Sequence, residues 1–316
     1  MTETTYDVAI VGGGHAGMAL ALALTRSMSG LRIALLDRRD FAVPRDQRAF
    51  AIAAGVRRVL EALGVWDAMQ GAAEPIRRMK ITDSGKGDIS RPLFLSFDGD
   101  VAPGEPFAHM VPNAALSAAL LDALRGKVDF LSPVEITGFF GDGPLARITL
   151  KDGRTISATL AVAADGGMSA LRSMAGIDVI THDYRQMGIV TTIGHELPHE
   201  GVAYEHFRPA GPFASLPLPG NRSSLVWTES SESAERYKAL PLDQAARVIE
   251  DVMGFSLGAV TVVEKLQAFP LTLRLARSFV APRLALIGDA AHVVHPIAGQ
   301  GLNLGLKDVA ALAEVV

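Results

Sequence analysis

The chain has 316 residues, enough for one large domain or two smaller ones, and its 49% hydrophobic and 20% charged content places it among folded globular chains rather than disordered ones. A formal net charge of −4 gives no case for a nucleic-acid surface, and the absence of cysteine removes disulfides, thiolate metal sites and cysteine nucleophiles together. Met1 to Tyr6 lack the basic stretch of a secretory signal and no apolar run approaches the roughly 20 residues of a membrane-spanning helix, so a cytoplasmic protein is expected, with any membrane contact peripheral.

The first apolar segment, Val8 to Val11, reads as a short buried strand and runs directly into Gly12-Gly13-Gly14-His15-Ala16-Gly17. Gly12, Gly14 and Gly17 supply the G-x-G-x-x-G pattern, and an Ala- and Leu-rich helical stretch, Met18 to Arg26, follows. A second apolar strand, Ile33 to Leu36, ends at Asp37, which stands 20 residues beyond Gly17. In dinucleotide-binding folds an acid at that distance meets the adenosine ribose, while the glycines serve a tight turn, close approach of a pyrophosphate and helix-on-strand packing. The pattern does not choose between NAD and FAD. Arg38 and Arg39 read either as readers of a 2′-phosphate or as a solvated loop, and the loop is favoured.

Asp46 to Ile52 leads toward a helix with apolar spacing Val56, Val59, Leu60 and Leu63. Arg48, in a turn just before it, reads as a surface arginine or as a guanidinium that holds a phosphate or a flavin edge. Lys80 to Phe97 has loop and strand character and reads as an excursion out of the first unit. His109 to Asn113 leads into a helix, Ala114 to Leu124, which Asn113 is placed to cap. Strands are expected over Val128–Leu131, Ile136–Phe140, Ala146–Leu150 and Thr155–Ala164, with hairpin turns at Gly141-Asp142-Gly143 and Lys151-Asp152-Gly153. The last of these strands ends at Asp165-Gly166, with Ser169 and Arg172 opening a helix that Asp165 alone would also suit as a cap.

From about Val179 to Leu273 the texture changes to strand-like pieces at Gly188–Ile193, Val202–Phe207, Ala214–Leu218 and Ser223–Trp227, a helix carrying Ala245, Val248, Ile249 and Val252, and Val260–Val263. This predicts a mostly antiparallel sheet with one face covered, a suitable lid and substrate layer. Phe207, Phe213 and Trp227 are candidates for an apolar pocket, with plain core the favoured reading. His195-Glu196-Leu197-Pro198-His199 matches the H-E-x-x-H zinc expression letter for letter, but Pro198 breaks the helix that would put both histidines on one face. His292 and His295 have no third ligand in view, so no metal site is expected.

Leu284 to Ile287 is a further short strand, with Asp289 just past its end, where α/β sheets place their ligands. Gly299 and Gly301 let the backbone approach a bound group, and a helix with apolar spacing Leu302, Leu306, Val309, Ala310 and Ala313 follows. The amides of Gln300 to Asn303 therefore sit at a helix N-terminus, which attracts negative charge.

Three sites now stand in order: Gly12 to Gly17 with Asp37, Asp165-Gly166 with Arg172, and Gly288-Asp289 through Gly305. In this order and spacing the chain resembles class A flavoprotein aromatic hydroxylases. Arg48-Ala49-Phe50-Ala51, His195 to His199, Phe207 to Pro212 and Asp289 to Gly305 resemble their ubiquinone-biosynthesis hydroxylase branch. The resemblance covers nearly the whole chain. It implies an α/β fold, with a Rossmann-like FAD-binding domain of the para-hydroxybenzoate hydroxylase type and a mostly antiparallel β-sheet substrate domain. Residues 1–78, 101–178 and 275–316 would form the first, and residues 79–100 and 179–274 the second.

It also implies one FAD per chain. Gly12, Gly14, His15, Ala16 and Gly17 would meet the pyrophosphate, and Asp37 and Arg38 the adenosine end, with Val134 contacting adenine through its backbone. Arg48 and Asn113 would flank the flavin, Asp165 would complete the second fingerprint, and Asp289 would hold the ribityl chain. Pro296, Gly299, Gln300, Gly301, Leu302 and Asn303 would lie along the isoalloxazine. The chain departs from the family where a Glu often stands at Asp37 and a Gly at Ala163. Family members also continue well beyond the position of Val316, so a truncated chain is expected.

The implied activity is hydroxylation of the ring of a prenylated phenol by dioxygen through a flavin C4a-hydroperoxide, as part of ubiquinone biosynthesis. The cofactor supplies the chemistry and the protein orients and shields it. With one dinucleotide motif, electrons must come from a transiently bound NAD(P)H or a redox protein. A prenyl tail suits work at the inner membrane face, in a ubiquinone-biosynthesis complex. The alternatives are a flavin hydroxylase or reductase of another substrate, or an inactive flavin-binding scaffold. No catalytic side chain is assigned; His295 is a candidate by position only, and a turn histidine is the favoured reading.

Overall fold

The computed structural model describes residues 3–87, 92–254 and 256–316. Its first sheet is built on Glu3–Val11, flanked in parallel by Ile33–Leu36 on one side and Thr155–Ala163 on the other. Asp129–Leu131 extends it beyond Ile33–Leu36. The strand Thr155–Ala163 has two different neighbours along its outer edge. Its first half pairs antiparallel with Ala146–Leu150, and its last three residues pair parallel with Leu284–Leu286.

Strand alternation divides this sheet between two cores. Val8, Ile10, Leu35 and Val162 face the helices His15–Ser27, Asn113–Leu124 and Gln300–Val315, whereas Ala9, Val11, Ala34, Leu36 and Ala163 face Ile148, Leu150 and Leu171. Both faces are covered, which is why these strands read as unbroken apolar runs. The helix His15–Ser27 is buried at every position from Gly17 to Leu24, as expected of a helix that is apolar all round.

The second sheet is organised on the long strand Val179–His195, paired antiparallel with Arg222–Ser230 and Gln267–Ala276. Beyond Arg222–Ser230 lie Phe213–Leu218 and Val202–Phe207, then Arg78–Asp83 in parallel and Leu93–Asp98 at the edge. One face packs under the helices Ser231–Lys238 and Leu242–Met253, through Ile189, Ile193, Phe213, Leu225 and Trp227 against Ala234, Ala245 and Ile249. The opposite face packs, through Ala203, Leu216 and Leu218, on a small sheet of Ala49–Ala53, Ala108–Pro112 and Glu74–Ile76.

Several sequence expectations need correction. Ala49–Ala53 leads into the helix as expected, which begins at Ala54, but is itself an unanticipated strand paired with Ala108–Pro112. Its alternation is too short to stand out, and its partner lies far along the chain. Asn113 does not cap its helix. Pro112 holds the cap position, and Asn113 is the first helical residue, 2% exposed. Ser231–Lys238 and Gln267–Ala276 were not anticipated. Pro270 argues against a strand, but it is tolerated here opposite Met187. Phe213 and Trp227 are core, their rings 5.6 Å apart on the helix-covered face. In the last helix Ala310 is exposed, and the buried positions are Asn303, Gly305, Leu306 and Val309.

That burial pattern predicts that Leu306→Ala destabilises the protein by about 2–5 kcal/mol. Ala310→Ser should stay within about 0.5 kcal/mol of the parent. Urea unfolding of the two variants checks this, and equal costs would mean that the helix presents a different face.

Candidate active site

Between the sheets lies one cleft of about 1270 Å³, larger than the roughly 300–1,000 Å³ typical of small-molecule pockets. Its walls come from segments far apart in sequence. Gly13 to Ala16 and Asp37 stand at one end, Asp46, Arg48 to Ala51 and Asn113 along the side, and Asp289, Pro296, Ile297 and Gly299 to Asn303 across from them. Ala214, Leu216 and Val226 of the second sheet close the cavity.

Two helices point their N-termini into this cleft. The helix His15–Ser27 is preceded by Gly14, and Gln300–Val315 by Gly299, and neither cap residue supplies a side-chain hydrogen bond. No cap side chain therefore covers these helix starts, and the positive ends of the two helix dipoles favour an anionic ligand. The glycines around them fall into two classes. A Cβ on Gly12 would lie 2.1 Å from the Ala164 carbonyl oxygen, and one on Gly17 would lie 1.9 Å from that of Gly12. These two are buried packing glycines beneath the cleft. At Gly14 and Gly301, both in the wall, a Cβ would meet nothing within 4 Å. Protein packing does not require glycine there, whereas a ligand lying on the backbone would.

The Asp37 carboxylate faces the cleft while accepting from the Gly13 amide at 2.7 Å and the Arg39 amide at 2.8 Å. A ribose hydroxyl can still be received by its remaining lone pairs. Arg38 is exposed and lies outside the wall, and Arg39 and Asp40 stand in it instead. Val134 also lies outside, with its amide donated to the Asp37 carbonyl at 2.8 Å. Asp165 sits behind its neighbour Gly166, and its Oδ2 accepts from the Leu171 amide at 3.1 Å. Ser169 caps the following short helix by accepting from the Arg172 amide at 3.0 Å.

Along the side wall a hydrogen-bonded chain links His15, Ser117, Asn113, Asp46 and Arg48. His15 Nε2 lies 3.0 Å from Ser117 Oγ, Asn113 Nδ2 donates to both Asp46 oxygens at 3.0 Å, and Arg48 Nη2 donates to Asp46 Oδ2 at 2.9 Å. The Arg48 guanidinium, helped by Asn113, holds the Asp46 carboxyl down at about 2. Burial, and next the Arg48 charge, pull His15 down to about 4, so its ring is neutral near pH 7. Asp46 and Ser117 had no assigned role in the sequence. The available signal was the Asp46-x-Arg48 spacing, which lets one acid fix an arginine beside it.

Asn303 is 1% exposed, and its side chain is taken up by the protein. It accepts from the Ala53 amide at 2.9 Å and donates to Ala51 O at 2.7 Å and Gly299 O at 2.9 Å. It thereby clamps the last helix to the strand Ala49–Ala53. Asp289 is open to the cleft yet ringed by protein, and this partial desolvation raises its carboxyl above the usual range, with His292 opposing the shift. His292 is bound to Asp308, Nε2 to Oδ2 at 2.6 Å, and the same oxygen accepts the Gly288 amide at 2.8 Å. His295 reaches the wall with its ring 5.1 Å from that of Tyr184. His195 and His199 are engaged elsewhere, the first with Leu197 O and Ser223 Oγ, the second with Leu218 O and Gly220 O.

These residues fit FAD: two uncapped helix starts, two glycines open to a ligand, and an acid at the ribose distance share one cleft. Gly14→Ala and Gly301→Ala should leave apoprotein stability unchanged, or raise it by about 0.4–1 kcal/mol. Both should weaken FAD binding at least tenfold by titration. Gly17→Ala should instead cost about 1–3 kcal/mol or more through overpacking. For His292, hydrogen bonding to Asp308 raises the pKa above the unfolded value of about 6.5. Its contribution to stability is thus complete below that pH and is lost as pH rises through the folded value. Asp308→Asn should flatten that slope in urea titrations run from acid to neutral pH.

Comparison with known proteins agrees with this geometry. The chain matches the FAD binding domain family over residues 5–315. It is 44% identical to a ubiquinone hydroxylase, UbiL, of Rhodospirillum rubrum, over 99% of this chain and 72% of that one. It is 36% identical to the 3-demethoxyubiquinol 3-hydroxylase of Escherichia coli, over 100% of this chain and 81% of that one. Among solved structures, PqsL of Pseudomonas aeruginosa, a probable FAD-dependent monooxygenase, superposes with a TM-score of 0.83 at 24% identity. That match covers 98% of this chain and 85% of the other, and it bears on the fold. A Gly-lined cradle at one end, a glycine-capped helix at the other and a match along almost the whole sequence lead to one conclusion: the chain belongs to the FAD binding domain family, in the branch that contains the ubiquinone hydroxylases.

Proposed function

We propose that the protein is an FAD-dependent monooxygenase that hydroxylates the aromatic ring of a prenylated phenol in ubiquinone biosynthesis. The observation that carries this reading is the single cleft into which both helix N-termini and the apolar face of the second sheet open. When bound, FAD supplies the redox chemistry, taking electrons from a nicotinamide nucleotide or a redox protein and activating dioxygen.

The chain's own residues bind, orient and exclude water. The first-turn amides of His15–Ser27 would hold the pyrophosphate, and Asp37 the ribose. The start of Gln300–Val315 would present its positive dipole end to the redox ring, favouring negative charge there. Asp46 holds Arg48 in place, and Asp289 is positioned for the hydroxyls of the ribityl chain. Ala214, Leu216 and Val226 keep the reaction space apolar and limit the access of water.

We further propose that residues 1–78, 101–178 and 275–316 serve the cofactor, and residues 79–100 and 179–274 the substrate. The edge strand Leu93–Asp98 supports an apolar-tailed substrate. Phe97 and the neighbouring Val101 line the cleft, while Leu93 is 60% and Phe94 74% exposed earlier on the same strand. This exposed apolar strand suits a prenyl chain that enters from a membrane surface, and so peripheral contact with the membrane and with other proteins of the same biosynthesis. Among the described residues no helix is long and apolar enough to cross a membrane.

Purified protein reconstituted with FAD, a reductant, a prenylphenol and ¹⁸O-labelled dioxygen should give a product that carries one labelled oxygen on the ring. A labelled product from soluble phenols alone would redirect the substrate assignment. No flavin uptake at all would overturn the reading.

A further inference from the structure

Glu205 lies on the strand Val202–Phe207, between Phe213–Leu218 and Arg78–Asp83. Alternation gives this strand two faces. On one, Tyr204 lies under the Lys80 ammonium and His206 bonds Thr82 at 2.6 Å. On the other, Ala203 packs with Ile76 and Leu218, and Glu205 enters the cleft wall beside Ala214, Leu216 and Val226. Glu205 is 6% exposed, and among the described residues no group bonds or pairs with its carboxylate. A buried, unpaired carboxyl is costly. An apolar residue would serve the sheet better, so the position is explained by something that enters the cleft.

We propose that Glu205 receives the phenolic hydroxyl of the substrate, accepting its hydrogen bond and then its proton as negative charge builds on the ring oxygen. The inference rests on the phenol hydroxylase reading above. The phenol O–H bond breaks as the carboxyl O–H bond forms. The proton returns to that oxygen when the hydroxylated ring regains aromaticity, and the displaced ring proton passes to solvent. One atom of dioxygen stays on the ring and the other leaves as water, with the two electrons drawn from the nicotinamide nucleotide or redox protein. One buried carboxyl among Ala214, Leu216 and Val226 can orient a molecule that carries one hydroxyl and a hydrocarbon tail.

Burial alone pushes the Glu205 carboxyl up to about 7, which suits a group that must exchange a proton near neutral pH. The flanking strand Phe213–Leu218 offers no ionisable side chain. Arg78 and Lys80 share the opposite face with Tyr204, and Asp83 is turned to the Gly85 amide. Asp98 and Asp100 of the adjoining hairpin, and His15, Asp46, Arg48, Asp289 and His295 of the far walls, complete the charged and titratable lining near the cleft's middle. None of them contributes to the shift.

The test uses FAD-loaded enzyme and a prenylphenol. In the wild type kcat/KM should fall about tenfold per pH unit below about pH 7. Glu205→Gln should lower kcat by about 10²–10⁴-fold at pH 7.5 and abolish that acid limb, with FAD affinity unchanged. Glu205→Asp should recover part of the rate and restore a limb. A Gln variant that binds FAD and turns over within threefold of the wild type would overturn the role. If that variant does not fold, a flat wild-type profile from about pH 6 to 8 would overturn it equally. A wild type that hydroxylates no phenol would instead remove the functional reading, and the role of Glu205 with it.

Discussion

The site depends on a close approach that only very small residues permit. Gly288, just past the strand Leu284–Leu286, lies against Gly305 of the last helix and Ala16 of the first. A Cβ added at Gly305 would come within 3.2 Å of the Gly288 backbone, and one at Gly288 within 3.3 Å of the Ala16 Cβ. This three-way contact sets the two helix starts side by side. Larger side chains would separate them, and the two positive ends would no longer act on one ligand. The Asn303 clamp and the His292–Asp308 pair fasten the same helix at its first turn and further along, so its position is fixed from both directions.

Electrostatically the cleft is divided along its length. At one end, the helix-start amides offer partial positive charge, with the Asp37 carboxylate on the Gly13 amide beside them. Along the side, Asp46 and Arg48 cancel one another locally, and His15 remains an uncharged ring. Across from them the second sheet contributes mostly hydrocarbon, with the Thr228 hydroxyl, the Glu205 carboxyl and, on its edge strand, Asp98. Such a gradient sorts a long amphipathic ligand set, with the anionic parts over the amides and the apolar parts against the sheet.

Much of this was legible in the residues because the deciding features are local. Gly12, Gly14 and Gly17 between a strand and a helix, and an acid at Asp37, announce a nucleotide cradle wherever they occur together. Gly299 and Gly301 ahead of an apolar periodicity do the same for the second helix start. Sequence could not separate the glycines that packing requires, Gly12 and Gly17, from those that only a ligand explains, Gly14 and Gly301, since that depends on Ala164 and Gly12 carbonyls pressing from behind. Nor could it see that Asn303 spends its amide on Ala51 and Ala53, about 250 positions away. Glu205 went unnoticed because an acid within a strand usually faces water. Only the register with Ala214 and Ile81 puts it inside.

The placement of Leu284–Leu286 has a bearing on biogenesis. This strand docks against the end of Thr155–Ala163, in the body of the first sheet and not at its rim. As the polypeptide leaves the ribosome, the Gly-rich turn and most of its sheet emerge long before the piece that seals them, and contacts of such sequence separation form late. Until Leu284–Leu286 is made, the edge beside Ala161 to Ala163 lacks its parallel partner. Only that long-range pairing brings the second set of helix amides into register with the first.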